Sequence, residues 1–211
     1  MKLSDIDFSS LGRMFDAMSD EEKEKINNMA EGVINNLKDT AATQPEEEEE
    51  LSIYEKLKID EDEYSFLPGE SLDQIEAALD LEAYYEEYPE ADLSASILFY
   101  QKALLNVLRK YMSPVFVQAK LGAVYEKPAL LNLYAFIQPL ASTENQEKLI
   151  ACGYGPQKQI DWLSAYLMHV YTLLNQAEYA CVKMAENERM KEILFDEQLL
   201  KTIFDFQKNA S

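Results

Sequence analysis

Residues 153–184 read GYGPQKQIDWLSAYLMHVYTLLNQAEYACVKM, and the apolar side chains inside this stretch decide the fold. Ile160, Leu163, Leu167, Val170, Leu174, Ala177, Cys181 and Met184 alternate spacings of three and four, the signature of one face of an α-helix. A second stripe of Trp162, Tyr166, His169 and Leu173 widens that face beyond a coiled-coil seam. A helix apolar over so broad an arc is expected at the centre of a bundle. Gly153-Tyr154-Gly155-Pro156 reads as a helix stop followed by a proline at the start of the next helix. It follows a helical pattern rather than a strand and lacks the further glycine or lysine of a phosphate-cradling loop.

The same period extends in both directions. Toward the carboxyl end, Met190, Ile193, Leu194, Leu200, Ile203 and Phe204 predict a helix over about 188–207. Toward the amino end, helices are expected over 143–152, 128–141 and 114–124. Before them, Ile97, Tyr100, Leu104, Leu105, Leu108 and Tyr111 make an apolar stripe opposed by Lys102, Asn106, Arg109 and Lys110. The chain has only 6 glycines, where average usage of about 7% gives roughly 15. That shortage argues against α/β architectures, which need glycine in tight βα loops. The expected class is all-α: a helical bundle with an N-terminal helical hairpin on an acidic linker.

Phe8, Leu11, Phe15 and Met18 predict the first helix of that hairpin, and Ser19 with Glu22 a capping box for the second, which carries Ile26, Met29, Ala30, Val33 and Leu37. The hairpin is assigned to 1–38. Residues 39–50 hold no apolar residue larger than alanine and end in five glutamates, the composition of a flexible, self-repelling linker. Residues 51–211 form the bundle domain, with its core from about 93. Within it, Leu51 to Ile59 predict a short helix, Pro68-Gly69 a turn, and Ser71 with Gln74 the cap of a helix through Leu72, Ile75 and Leu79.

Charge is unevenly spread. Residues 46–92 hold nineteen acidic side chains against Lys56 and Lys58, a net −17 in a chain of −20. The residues before sum to −4 and those after to +1. On a helix continued through the tyrosines, Glu82, Glu86 and Glu90 would share one face, and Asp73, Glu76 and Asp80 another. Like charges so spaced repel by roughly 0.2–0.5 kcal/mol per pair. The counter-charge has three possible sources: solvent and salt, a basic surface, or a nucleic-acid-binding protein deceived by a phosphate-like array. The basic surface could be this chain's own Lys102, Arg109 and Lys110 or a partner's. Tyr84, Tyr85 and Tyr88, interleaved with the carboxylates, suit an interface.

Catalytic and metal chemistry find little support. Asp60-Glu61-Asp62-Glu63-Tyr64-Ser65 lacks the third acidic ligand and the glycine of a calcium-binding loop. His169 is the sole histidine, so a di-iron bundle cannot be assembled, and the residue reads as part of the core. Cys152 and Cys181 form no Cys-x-x-Cys pair and read as reduced, buried cysteines. No catalytic, cofactor-binding or metal residue is expected, and no cofactor. The start, Met1-Lys2-Leu3-Ser4-Asp5, offers no signal-peptide stretch. The longest nearly apolar run, Trp162 to Leu174, falls short of the ~20 residues that span a bilayer.

The functional expectation is a non-enzymatic, cytoplasmic protein-interaction module. Segment 46–92, the N-terminal hairpin, or both would dock a protein partner with a basic surface, without direct binding to nucleic acid or membrane. The residues expected at that contact are Glu82, Tyr84, Tyr85, Glu86, Tyr88, Glu90, Met29 and Val33. A nucleic-acid mimic that inhibits a DNA- or RNA-binding protein is the alternative, and a carboxylate-dependent enzyme comes last.

Overall fold

The computed structural model describes residues 51–88 and 90–208, together with Ser19 and Lys23. Apart from Ser19 and Lys23, the hairpin, Met29 and Val33 included, lies outside the described residues, as does the linker. Those described are mostly helical, with no strand among them. Two short helices come first, α1 (Ile53–Leu57) and α2 (Glu61–Tyr64), then the long α3 (Gly69–Tyr85) and α4 (Ser94–Val107). A π-helical turn, Leu108–Met112, joins α4 to α5 (Ser113–Gln118). Two 3-10 turns lead to α6 (Leu133–Ala141), α7 (Thr143–Ala151) and α8 (Gln157–Tyr179). Then α9 (Met184–Lys191) runs into a second π-helical turn, Glu192–Asp196, before α10 (Leu199–Lys208).

The centre of the bundle is α4, not α8 as its periodicity suggests. α4 packs most extensively on α3 and also touches α8, α9 and α10. Ile97, Tyr100, Ala103, Leu104 and Val107 are accordingly sealed on every side. α8 buries Ile160, Leu163, Leu167, Val170 and Leu173. Of its second stripe only Leu173 is buried: Trp162 and Tyr166 are half-buried and stack on each other with ring centroids 4.1 Å apart, and His169 is exposed. The core histidine is therefore a misreading. The cysteines differ from expectation too: both are free, but Cys152 is half-buried and Cys181 exposed.

α8 also stops earlier than its apolar period. Ala180 turns extended (φ −144°, ψ 163°), and the next residues pair with the entry to α4. The Val182 amide donates to the Asp92 carboxylate at 3.0 Å, while the Leu93 amide donates to the Val182 carbonyl at 2.9 Å. Met184 thus opens α9 instead of closing α8. Pro139 lies inside α6.

From Leu51 onward the acidic segment packs against the bundle, and the core starts before residue 93. Tyr64, Phe66 and Leu67 are buried, with Phe66 stacked on Phe204 at 4.5 Å. Both π-helical turns hold this corner. The Tyr64 hydroxyl donates to the Phe195 carbonyl at 2.9 Å, and the Tyr111 hydroxyl to the Phe66 carbonyl at 2.5 Å. Such turns offer side chains and carbonyls in directions an α-helix does not.

Candidate functional site

α3 carries the acidic belt, and its two faces treat carboxylates in opposite ways. It starts at Gly69 with Pro68 as N-cap, so Ser71 does not cap it. Ser71 is instead fully buried, its hydroxyl donating to the Ala103 carbonyl of α4 at 3.0 Å. Ser71, Ile75, Ala78 and Glu82 follow one another at spacings of four, three and four and form the inward face.

Glu82 ends that face inside the protein. Its Oε1 accepts from the Tyr100 hydroxyl and the Asn187 amide, each at 2.7 Å, and from the Ser96 hydroxyl at 3.0 Å. Its Oε2 accepts from the Lys191 ammonium at 2.9 Å. Lys191 also meets Glu188 at 2.6 Å. Burial alone would lower the Lys191 pKa; hydrogen bonds to Glu188 and Glu82 outweigh it and hold the group above the ordinary lysine value. Burial first, then the charge of Glu82, pushes the Tyr100 phenol far up, so it stays a donor. Three neutral donors and an ammonium leave the carboxylate no unmet need, which is the condition for burying a charge.

The outward face is different. Asp73, Glu76, Asp80 and Tyr84 recur at three, four and four residues and are all exposed. Tyr84 is 71% exposed and Tyr88 62%, high for such large side chains. Asp80 lies 3.7 Å from Lys56 in an open pair. Among the described residues, Glu61, Asp62, Glu70, Asp73, Glu76, Glu86 and Glu87 take part in no ion pair.

The residues expected to dock a partner therefore separate. α3 ends at Tyr85, so Glu86 and Glu90 do not continue the face of Glu82. Glu82 is buried, which corrects its assignment to an accessible contact. Glu90 pairs with Lys183 at 3.0 Å. Tyr85 is half-buried against the core, its ring 4.9 Å edge-on from Tyr84. Glu86, Tyr84 and Tyr88 remain accessible. Other acids of the belt serve local structure. Glu55 and Ser52 form a capping box with bonds of 2.8 and 3.3 Å, Asp60 caps α2, and Glu63 pairs with Lys201 at 3.0 Å. Asp92 accepts from Ser94 and the Val182 amide, which holds its carboxyl below the usual range.

Lys102, Arg109 and Lys110, considered as an internal counter-charge, do not serve as one. Lys102 lies over Phe99 and Lys110 over Tyr111, each about 5 Å from the ring, and Arg109 donates to the Leu131 carbonyl at 2.8 and 3.2 Å. Among the described residues, the lysines that pair with carboxylates of the belt are Lys56, Lys183, Lys191 and Lys201. No group of three or more histidine, cysteine, aspartate or glutamate side chains among the described residues could hold a metal ion. Nor is any described helix long and apolar enough to cross a membrane.

Sequence reasoning passed over the Glu82 cluster, although it left a trace. Glu82 falls in the phase of Ile75 and Ala78, and Ser96–Tyr100 and Asn187–Lys191 are polar pairs four apart on otherwise apolar stripes. Polar groups recurring in a buried phase call for partners.

Comparison with known proteins adds no relative: no family model, no curated protein and no solved structure matches this chain.

Proposed function

We propose that this chain is a non-enzymatic protein-interaction module whose contact surface is the outer face of α3 and the turn after it. The partner it suits is a protein surface rich in lysine and arginine. One observation carries the reading: Asp73 and Glu76 stand in line with Tyr84, exposed and without an ion pair among the described residues, whereas Glu63, Asp80, Glu82 and Glu90 of the same belt are met by the chain's own lysines. Opposed charge steers encounter and fixes register, and exposed tyrosines supply contact area at low entropic cost.

The test compares the wild-type chain with the Asp73→Lys/Glu76→Lys/Tyr84→Ser variant in affinity capture from the native host, followed by titration of the recovered partner across salt. The expected result is a basic protein bound by the wild type, lost by the variant at unchanged helicity, and weakened steeply between low and physiological salt. A partner that survives the triple change, or binds indifferently to salt, refutes this face. Capture of a DNA- or RNA-binding protein that DNA displaces turns the reading toward mimicry of nucleic acid.

A further inference from the structure

We propose that the groove around Arg109 binds a small apolar molecule carrying one anionic head, a carboxylate or a phosphate. The site adjoins the outer face of α3, where Arg109 shares a hollow with Asp73 and Lys102, but it does not rest on the reading above. Arg109 lies at the junction of two stretches of this groove. One, of about 410 Å³, has walls of Pro114, Val117, Tyr125 and Pro128 and reaches Ser113. The other, of about 550 Å³, runs past Lys110 and Asn106 to the start of α3 at Pro68 and Gly69. Apolar walls with a few convergent polar groups, at this size, are the usual form of a small-molecule site.

The polar stretch favours an anion. Arg109 and Lys110 are in no ion pair among the described residues, in a chain where carboxylates outnumber cations two to one. The bonds from Arg109 to the Leu131 carbonyl fix its guanidinium, which keeps further N–H donors. α3 begins here with no side-chain cap, and the space beside Gly69 is open. Its first amides and the positive end of its dipole add to the same field. Glu70 and Glu126 stand at the rim and oppose an anion; both are exposed and unpaired, and at the polar stretch two cations outweigh one carboxylate.

A second observation is independent of charge. Ser113 is only 2% exposed, lines the apolar stretch, and its hydroxyl oxygen meets no hydrogen-bond partner within the protein. Buried hydroxyls are nearly always paired. A head group held by Arg109 would set its apolar body against Val117 and Tyr125.

The experiment is titration of the full chain, followed by amide chemical shifts, with octanoate, phenyl phosphate, 1-octanol and inorganic phosphate as probes. Saturable binding of octanoate or phenyl phosphate is expected, with octanol and inorganic phosphate at least about tenfold weaker. Lys110→Gln and Val117→Asp, both surface changes, should each weaken the tighter probe about tenfold while helicity stays the same. Equal affinity for octanol and octanoate would reduce the groove to an apolar patch, and equal affinity for both phosphates would reduce it to a bare anion contact. Either result, or no saturable shift at all, overturns the proposal.

Discussion

Glu76 and Glu82 stand on the same helix, less than two turns apart, and the protein uses them in opposite ways. Glu82 faces α4 and α9 and is held by Ser96, Tyr100, Asn187 and Lys191. Glu76 faces out and takes part in no ion pair among the described residues. Net charge along the chain sees the two as equal members of one belt. What separates them is helical phase: the inward phase of α3 meets donors from two other helices, and the outward phase meets only Lys56, in an open pair with Asp80. An acidic run is therefore not a single object, and only its outward half is available to a partner.

The strongest way to break this contrast is to remove the inward carboxylate. Glu82→Ala leaves three buried donors without their acceptor and Lys191 with Glu188 alone. Breaking a buried, paired charge costs about 3–5 kcal/mol. For a chain of this size that lowers the melting temperature by about 10 °C or more. Thermal unfolding followed by circular dichroism measures it. A loss below about 1 kcal/mol would mean that Glu82 is no more embedded than Glu76.

Alkaline pH probes the same cluster from the other side. Burial holds Tyr64 up to about 12, and it raises Tyr100 further still with the help of Glu82. Lys191 is raised by its carboxylate partners. Groups with folded values above their unfolded ones stabilise fully below the unfolded values, about 10 for tyrosine and 10.4 for lysine. That stability is lost as pH rises through the folded values. Urea midpoints should thus stay level up to about pH 10 and fall beyond it, with the buried phenols ionising only as the chain unfolds. Tyr100→Phe should lower stability at neutral pH by about 1.5–3 kcal/mol, the worth of a hydrogen bond to a charged group, and make the alkaline decline shallower. Phenolate absorbance read alongside circular dichroism checks both. Ionisation of Tyr100 in the folded chain would contradict the cluster's geometry.

How much of this was legible beforehand follows from the range of the interactions involved. The all-helical class was readable because apolar period is a local property, and Ile160 through Val170 bury as their spacing requires. The end of α8 was not readable, because Cys181 and Met184 keep the period while Asp92 and Leu93, far away in the chain, draw Val182 into a different pairing. The π-helical turns leave no mark either: Leu108 and Tyr111 continue the stripe of α4 without a break. Ser71 offered a plausible cap, but Pro68, with its backbone already set, starts the helix three residues earlier and sends Ser71 inward. At the candidate contact surface, Tyr84, Tyr88 and Glu86 stayed accessible as read. Glu82 did not, because its fate depends on Asn187 and Lys191, which reach α3 only through the fold.

The smallest effect sharpens the outward half of the comparison. Glu76 lies three residues after Asp73 and four before Asp80, so it faces a like charge on either side. Each such pair costs roughly 0.2–0.5 kcal/mol in an isolated helix. Glu76→Gln removes both repulsions and breaks no ion pair, so it should stabilise the chain by about 0.5 kcal/mol at low ionic strength. At about 1 M salt, where screening acts within some 3 Å, the gain should vanish. Urea midpoints of the two proteins at both ionic strengths give the answer. A stabilisation lost in salt means that the outer face carries strain the fold leaves unrelieved, and a basic partner would relieve that strain on binding. If Glu76→Gln instead destabilises the chain, Glu76 contributes to the fold after all, and the outer face loses its claim to be reserved for a partner.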